Sequence, residues 1–141
     1  AAEDASSSDH TVVTTCRGGG GIYAHRRIAF LSQRRFPIDM KISMQQAALA
    51  FPVVVFAHKL EDNTRKVMDI SECIVHDDGE LEYRTLYRYK IHSNEYVDGQ
   101  FHIVGEFIQE NSPSEYLRSK LMRGGIPHEL LKRFEREEGS V

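Results

Sequence analysis

The clearest hydrophobic pattern lies in residues 50–75, AFPVVVFAHKLEDNTRKVMDISECIV, where two apolar, β-branched runs flank a polar turn. Val53, Val54, Val55 and Phe56 stand in succession, too short and too branched for a surface helix, so the pattern predicts a strand buried on both faces. Glu61-Asp62-Asn63-Thr64 has turn chemistry, because Asp and Asn side chains satisfy nearby backbone and tolerate left-handed angles. Residues 65–75 then alternate. Met68, Ile70 and Ile74 share one face, and Asp69, Ser71 and Cys73 share a wetter one. The pair is a β-hairpin, and the strands downstream extend its sheet.

Upstream, residues 10–16, HTVVTTC, are rich in Val and Thr and predict a short strand. Gly18 to Gly21 make a loop, since four glycines cost too much backbone entropy for a regular element. Residues 22–34 follow as a moderately amphipathic helix that Pro37 ends. Asp39 or Ser43 caps a second helix whose Met44, Ala47, Ala48 and Phe51 recur at helical spacing. Beyond the turn at 76–80, Leu81, Tyr83, Thr85, Tyr87 and Tyr89 alternate with charged residues as a half-exposed strand with an aromatic stripe. Asp98-Gly99 is a hairpin signal before Phe101 to Val104, so a β-meander is the simplest topology. Ser112-Pro113-Ser114-Glu115 starts a helix that Gly124-Gly125 closes, and a second short helix carries Leu130, Leu131 and Phe134.

With 141 residues the chain is expected to form one domain, at 10–136, between a disordered or truncated terminus at 1–9 and a frayed tail at 137–141. Eighteen Lys and Arg against twenty-one Asp and Glu leave a net charge of −3, which gives no whole-chain pull toward nucleic acid or anionic membrane. Cys16 and Cys73 have no CxxC spacing and are expected as reduced, buried thiols of a cytosolic protein. No apolar run reaches the roughly 20 residues of a membrane helix, so a membrane role is expected to come through partners.

Candidate chemistry is sparse. The order of strand, glycine loop and helix invites an anion-binding reading, because free amides at a helix start attract oxyanions. A flexible connection fits the same glycines, and no GxxxxGK[ST] occurs in the chain. Arg17, Arg26, Arg27, Arg34 and Arg35 form a basic cluster that suits either a solvated helix face or a phosphate met in trans. The seven histidines lack metal-site spacing and are expected at the surface or in strands, no metal ligand set is expected, and the tyrosine stripe fits packing better than base stacking. No spacing singles out a Ser/His/Asp or Cys/His arrangement, and no catalytic residue is assigned.

The residues resemble the carboxyl-terminal part of the type II/type IV secretion ATPases, RecA-like hexameric motors, in their flp-pilus and conjugation branch. That family carries GH-x-x-x-x-T-[IVC]-H-A-N and then a helix with R-[LIM]. His10, Thr14, Thr15 and Cys16 fit the first pattern, and Arg27-Ile28 fits the second. The ribbon resembles the family's strand pair, with Leu60, Asp62, Arg65, Lys66, Ile70, Ser71 and Glu72 in register. Arg17 stands in the slot of the family's histidine, Gly18-Gly19 replace its Ala-Asn, and Asp9 replaces its glycine.

The resemblance implies an α/β fold, the carboxyl-terminal half of a RecA-like P-loop NTPase, with a mixed sheet, a β-meander and terminal helices but no P-loop. It further implies that the ribbon shares a sheet with the segment holding Thr14 and Thr15; a ribbon outside any such sheet would make the kinship illusory and remove the functional reading with it. Arg17, Thr14, Thr15, Arg26 and Arg27 are the implied sensors of nucleotide phosphate. ATP and Mg belong to the full-length parent, a hexamer serving membrane-platform secretion proteins in secretion, pilus assembly or conjugation. The chain alone is expected to lack ATPase activity, to need no cofactor and to bind no nucleic acid. It is expected in the cytoplasm, peripheral to the inner face of the membrane through partners. The alternative is a non-catalytic interaction or assembly module.

Overall fold

A computed structural model describes residues 11–135. The elements are α1 (Gly21–Gln33), α2 (Met40–Ala50), β1 (Val53–Lys59), β2 (Arg65–Val75), β3 (Leu81–Val97), β4 (Gln100–Gln109), α3 (Glu115–Arg123) and α4 (His128–Lys132). The strands form one four-stranded sheet in the order β1-β2-β3-β4, so the fold is mixed α/β with an antiparallel meander rather than the expected mixed sheet. The chain divides into two compact units, 1–54 with 71–84, and 55–70 with 85–141.

In the first unit α1 packs on α2. Asp39 caps α2 by accepting a hydrogen bond from Lys41 N at 2.8 Å, which leaves Ser43 free to be buried inside the helix. Gln45 Nε2 donates to Gly79 O at 2.7 Å and Lys41 Nζ meets Glu80 Oε1 at 2.7 Å, so α2 is fastened to the β2–β3 turn. The core here is made of small side chains, Ala24, Ala29, Ala47 and Ala48, with Cys73.

In the second unit, the β1–β2 turn carries Asn63 at φ 63°, while Asp62 Oδ1 accepts from Thr64 N and Oγ1 at 2.9 and 2.7 Å. β3 pairs with β4 antiparallel from Tyr87↔Gln109 to Val97↔Gln100, and a bulge between Ile91 and Ser93 leaves His92 as the extra residue. The aromatic stripe is packing, as expected: Tyr87 stacks on Phe107 at 5.5 Å, and Gly105 lies against the Tyr89 ring. Ser114 caps α3 through Leu117 N at 3.1 Å, Gly124 ends it, and Leu117 and Leu131 are buried.

Four expectations are corrected. Residues 11–17 form no strand and lie outside the sheet, because no described strand offers them a ladder; His10 falls outside the described residues. Cys16 is consequently exposed, and only Cys73 is buried. β1 has one uncovered face: Val53 and Val55 are exposed while Val54 and Phe56 on the other face are half-buried, so the strand is not buried on both faces. On β2 both faces are covered at 71–73: Ser71 and Cys73, assigned to water, are buried, and so is Glu72 on the opposite face between half-buried Ile70 and Ile74.

Candidate functional site

The glycine loop and the start of α1 are where the anion-binding reading placed its chemistry. Gly20 is the N-cap at φ 85°, a backbone angle that glycine adopts without steric cost, and no side chain caps the helix. A Cβ on Gly21 would stand 2.9 Å from Tyr83 Cδ1, so this glycine is required by close packing. At Gly18 and Gly19 a Cβ would make only ordinary contacts, and those two glycines have no such requirement. Two of the four glycines thus have structural explanations that owe nothing to a ligand.

Thr14, Thr15 and Arg17 are exposed in the irregular segment before the loop. Arg26 and Arg27 are exposed on the second turn of α1, with Arg26 Cζ 6.0 Å from the Tyr23 ring centroid. None of Arg17, Arg26, Arg27, Arg34 and Arg35 is ion-paired with a carboxylate among the described residues. Arg26 and Arg27 are therefore gathered on one helix, while Thr14 and Thr15 are on no shared element with them.

Beneath α1 lies a buried polar cluster that the sequence reading missed. His25 is wholly buried; its Nε2 is 2.8 Å from Phe51 O and its Nδ1 is 2.9 Å from Tyr83 Oη. A carbonyl can only accept, so Nε2 carries the proton. Nδ1 of the neutral ring then accepts from the Tyr83 hydroxyl. Tyr83 Oη is also hydrogen-bonded to Cys73, which supplies the S–H. Burial lowers the His25 pKa, partly offset by the Phe51 carbonyl, and keeps the ring neutral. Burial, with the nearby Cys73 adding to it, pushes the Tyr83 phenol well up. Burial and the charge of the also buried Glu72 likewise raise the Cys73 thiol against the lowering effect of Tyr83.

The arrangement is a saturated chain of neutral hydrogen bonds. Its thiol is the opposite of an activated nucleophile, which needs a lowered pKa and access. The chemistry available to the cluster is therefore positional: it pins α1 to β3 and to the end of α2.

Three other histidines make local contacts. His76 Nε2 lies 2.8 Å from Glu82 Oε2, His92 Nε2 lies 3.0 Å from Glu106 Oε1, and His58 stacks on Phe56. Among the described residues no group of three His, Cys, Asp or Glu side chains is placed to hold a metal. His25 corrects the expectation of surface or strand histidines. The spacing that marked its face is Ala24, His25, Ile28 and Ala29, a stripe of buried and half-buried residues on the inner side of α1.

Compared with protein-family models and with curated proteins, the chain matches none.

Proposed function

We propose that this chain is the carboxyl-terminal region of a secretion- or conjugation-type motor ATPase whose parent is RecA-like and hexameric. What carries the reading is the ribbon at residues 53–75, where Leu60, Asp62, Arg65, Lys66, Ile70, Ser71 and Glu72 fall in the register of the family's strand pair. The turn also supplies a physical reason for the family's [DN]-[GN] pair. Its first residue accepts the turn's hydrogen bonds and its second takes a left-handed angle, as Asp62 and Asn63 do.

The condition on which the resemblance is staked fails in the chain as it stands: the segment holding Thr14 and Thr15 shares no sheet with the ribbon, which counts directly against the kinship. The proposal therefore rests on the ribbon alone. It requires residues 11–16 to gain a ladder from parent strands that precede them, and a structure of a longer chain with this segment still unpaired would defeat it.

In such a motor, phosphoryl transfer is promoted mainly by electrostatic stabilisation, from a P-loop lysine, Mg²⁺ and arginines. The sequence has no GxxxxGK[ST], so the contribution open to this chain is arginine charge, from Arg17, Arg26 and Arg27, with Thr14 and Thr15 as the other implied phosphate-sensing residues. The test is ATP turnover. The 141-residue chain should show none with Mg²⁺, and a protein extended upstream should hydrolyse ATP and lose kcat when Arg27 is replaced by Gln. Turnover by the short chain, or an extended protein indifferent to Arg17, Arg26 and Arg27, would contradict the proposal.

A second reading, a non-catalytic interaction module, is favoured by the outer face of α1, where large apolar side chains and arginines face solvent while alanines face inward.

A further inference from the structure

α1 is built inside out. Its inner stripe holds Ala24, His25, Ile28 and Ala29, and its outer stripe, at successive i, i+3 and i+4 steps, holds Tyr23, Arg26, Arg27, Phe30, Leu31 and Arg34, all exposed. Phe30 is 57% exposed and Tyr23 57%, and the stripe continues past the helix end into Arg35 and Phe36, the latter 61% exposed. Between Asp9 and Asp39 the chain has five arginines and no acidic residue, against a net charge of −3 for the whole. A surface helix normally turns its large apolar side chains to the core and its charges to water. Here both kinds face outward together.

We infer that the outer face of α1 docks directly on an anionic phospholipid surface. The argument is one of charge complementarity. The arginines Arg26 and Arg27 sit between Tyr23 and the pair Phe30 and Leu31. Protein interfaces also enrich Tyr, Phe and Arg, but five arginines without one acidic residue among them call for an extended anionic surface rather than the mixed charges of a protein rim. A headgroup layer offers phosphate and acyl chain at nearly the same depth, so guanidinium groups and rings are accommodated side by side. Single-stranded nucleic acid would use the Tyr23 and Phe30 rings for stacking but would leave Ile22 and Leu31 without apolar contact. No helix among the described residues is long and apolar enough to cross a membrane, so the contact is interfacial. Arg26 and Arg27 are also the arginines of the motor proposal, and the two assignments are separated by readout: ATP turnover of an extended protein there, vesicle retention of this chain here.

The test uses the full chain and vesicles of phosphatidylcholine with or without phosphatidylglycerol, read by co-sedimentation. Retention is expected on the anionic vesicles only and is expected to fall as salt rises. A cation at an anionic surface is worth about fivefold in partitioning, so R26Q/R27Q should bind about 25-fold more weakly. K132Q/R133Q, which removes the same charge from exposed positions off the stripe, should bind like the parent. F30S/L31S should weaken retention while leaving its salt dependence. The salt titration of the unaltered chain needs no variant and keeps the test valid if one misfolds. Equal retention on neutral vesicles, equal loss in K132Q/R133Q, or capture of single-stranded DNA with no vesicle binding would overturn the inference.

Discussion

Replacing His25 with Ala is the sharpest perturbation of the first unit, because one side chain joins α1, the end of α2 and β3. The Phe51 carbonyl would lose its donor in a part-buried setting, at about 1 kcal/mol. Tyr83 could turn its hydroxyl toward Cys73, so this group is not counted as a second orphan. The hole left by the ring adds about 1–2 kcal/mol, scaled down from the 3–5 kcal/mol of larger aromatic truncations. The total is about 2–3 kcal/mol, a large share of the 5–15 kcal/mol that a domain usually has. With a urea slope of about 1–3 kcal/mol per molar, the midpoint should fall by about 1–3 M.

The same residue gives a pH signature. His25 has its folded pKa below the ordinary 6.5, so the unfolded chain binds more protons once pH drops past that value. The stability it contributes is complete above about pH 7 and declines as pH falls from near 6.5 toward the lower folded value. Urea melts of parent and His25→Gln between pH 7.5 and pH 5 should show a steeper acid loss in the parent. A variant within about 0.5 kcal/mol of the parent at neutral pH, or an acid slope that survives the substitution, would refute the assigned network.

Other outcomes follow from the same geometry. Gly21→Ala should cost about 1–3 kcal/mol from overpacking against a hydrogen-bonded Tyr83, while Gly18→Ala should be neutral or slightly stabilising; chemical denaturation distinguishes them. Gly105→Ala would place a Cβ 2.5 Å from Lys90 O and 2.9 Å from the Tyr89 ring, so a fall in melting temperature of several degrees is expected, by about 1–3 kcal/mol. Asn63→Ala should cost about 1 kcal/mol and Asn63→Gly nothing, because the turn holds this residue at a left-handed angle. With a chromogenic disulfide reagent, Cys16 should react at once and Cys73 only on unfolding; two fast thiols would contradict the burial and raised pKa of Cys73.

Local chemistry carried most of the legible structure. The turn at Asp62-Asn63 and the hairpin at Asp98-Gly99 are decided by a few neighbouring atoms and stand where the residues predict, Asp39 is the one used of two offered caps, and the cap of α3 is Ser114, so that Pro113 precedes the helix instead of opening its first turn. What failed depends on partners distant in sequence. The Val-rich run at 53–56 has the composition of a central strand, but its place at the sheet edge is a matter of topology. Residues 11–16 have strand propensity without a ladder, and propensity alone does not hold an extended segment. Ser71 and Cys73 looked solvent-facing because they are small and weakly polar, the same properties that let α1 approach closely at Gly21, where a Cβ would lie 3.6 Å from Ser71 Cβ. The proposed phosphate sensors were visible only as residue types. Arg26 and Arg27 do share an exposed helix face, whereas the buried His25, Tyr83 and Cys73 chain joins three positions far apart in sequence and left only the Ala24, His25, Ile28 and Ala29 stripe as a trace.

The most direct measurement of the functional account is the native transcript upstream of the Ala1 codon. A continuous reading frame that carries GxxxxGK[ST] and an acidic Walker B strand before His10 is the predicted result. A frame that opens immediately before Ala1, or one that extends upstream without a phosphate-binding loop, would contradict it.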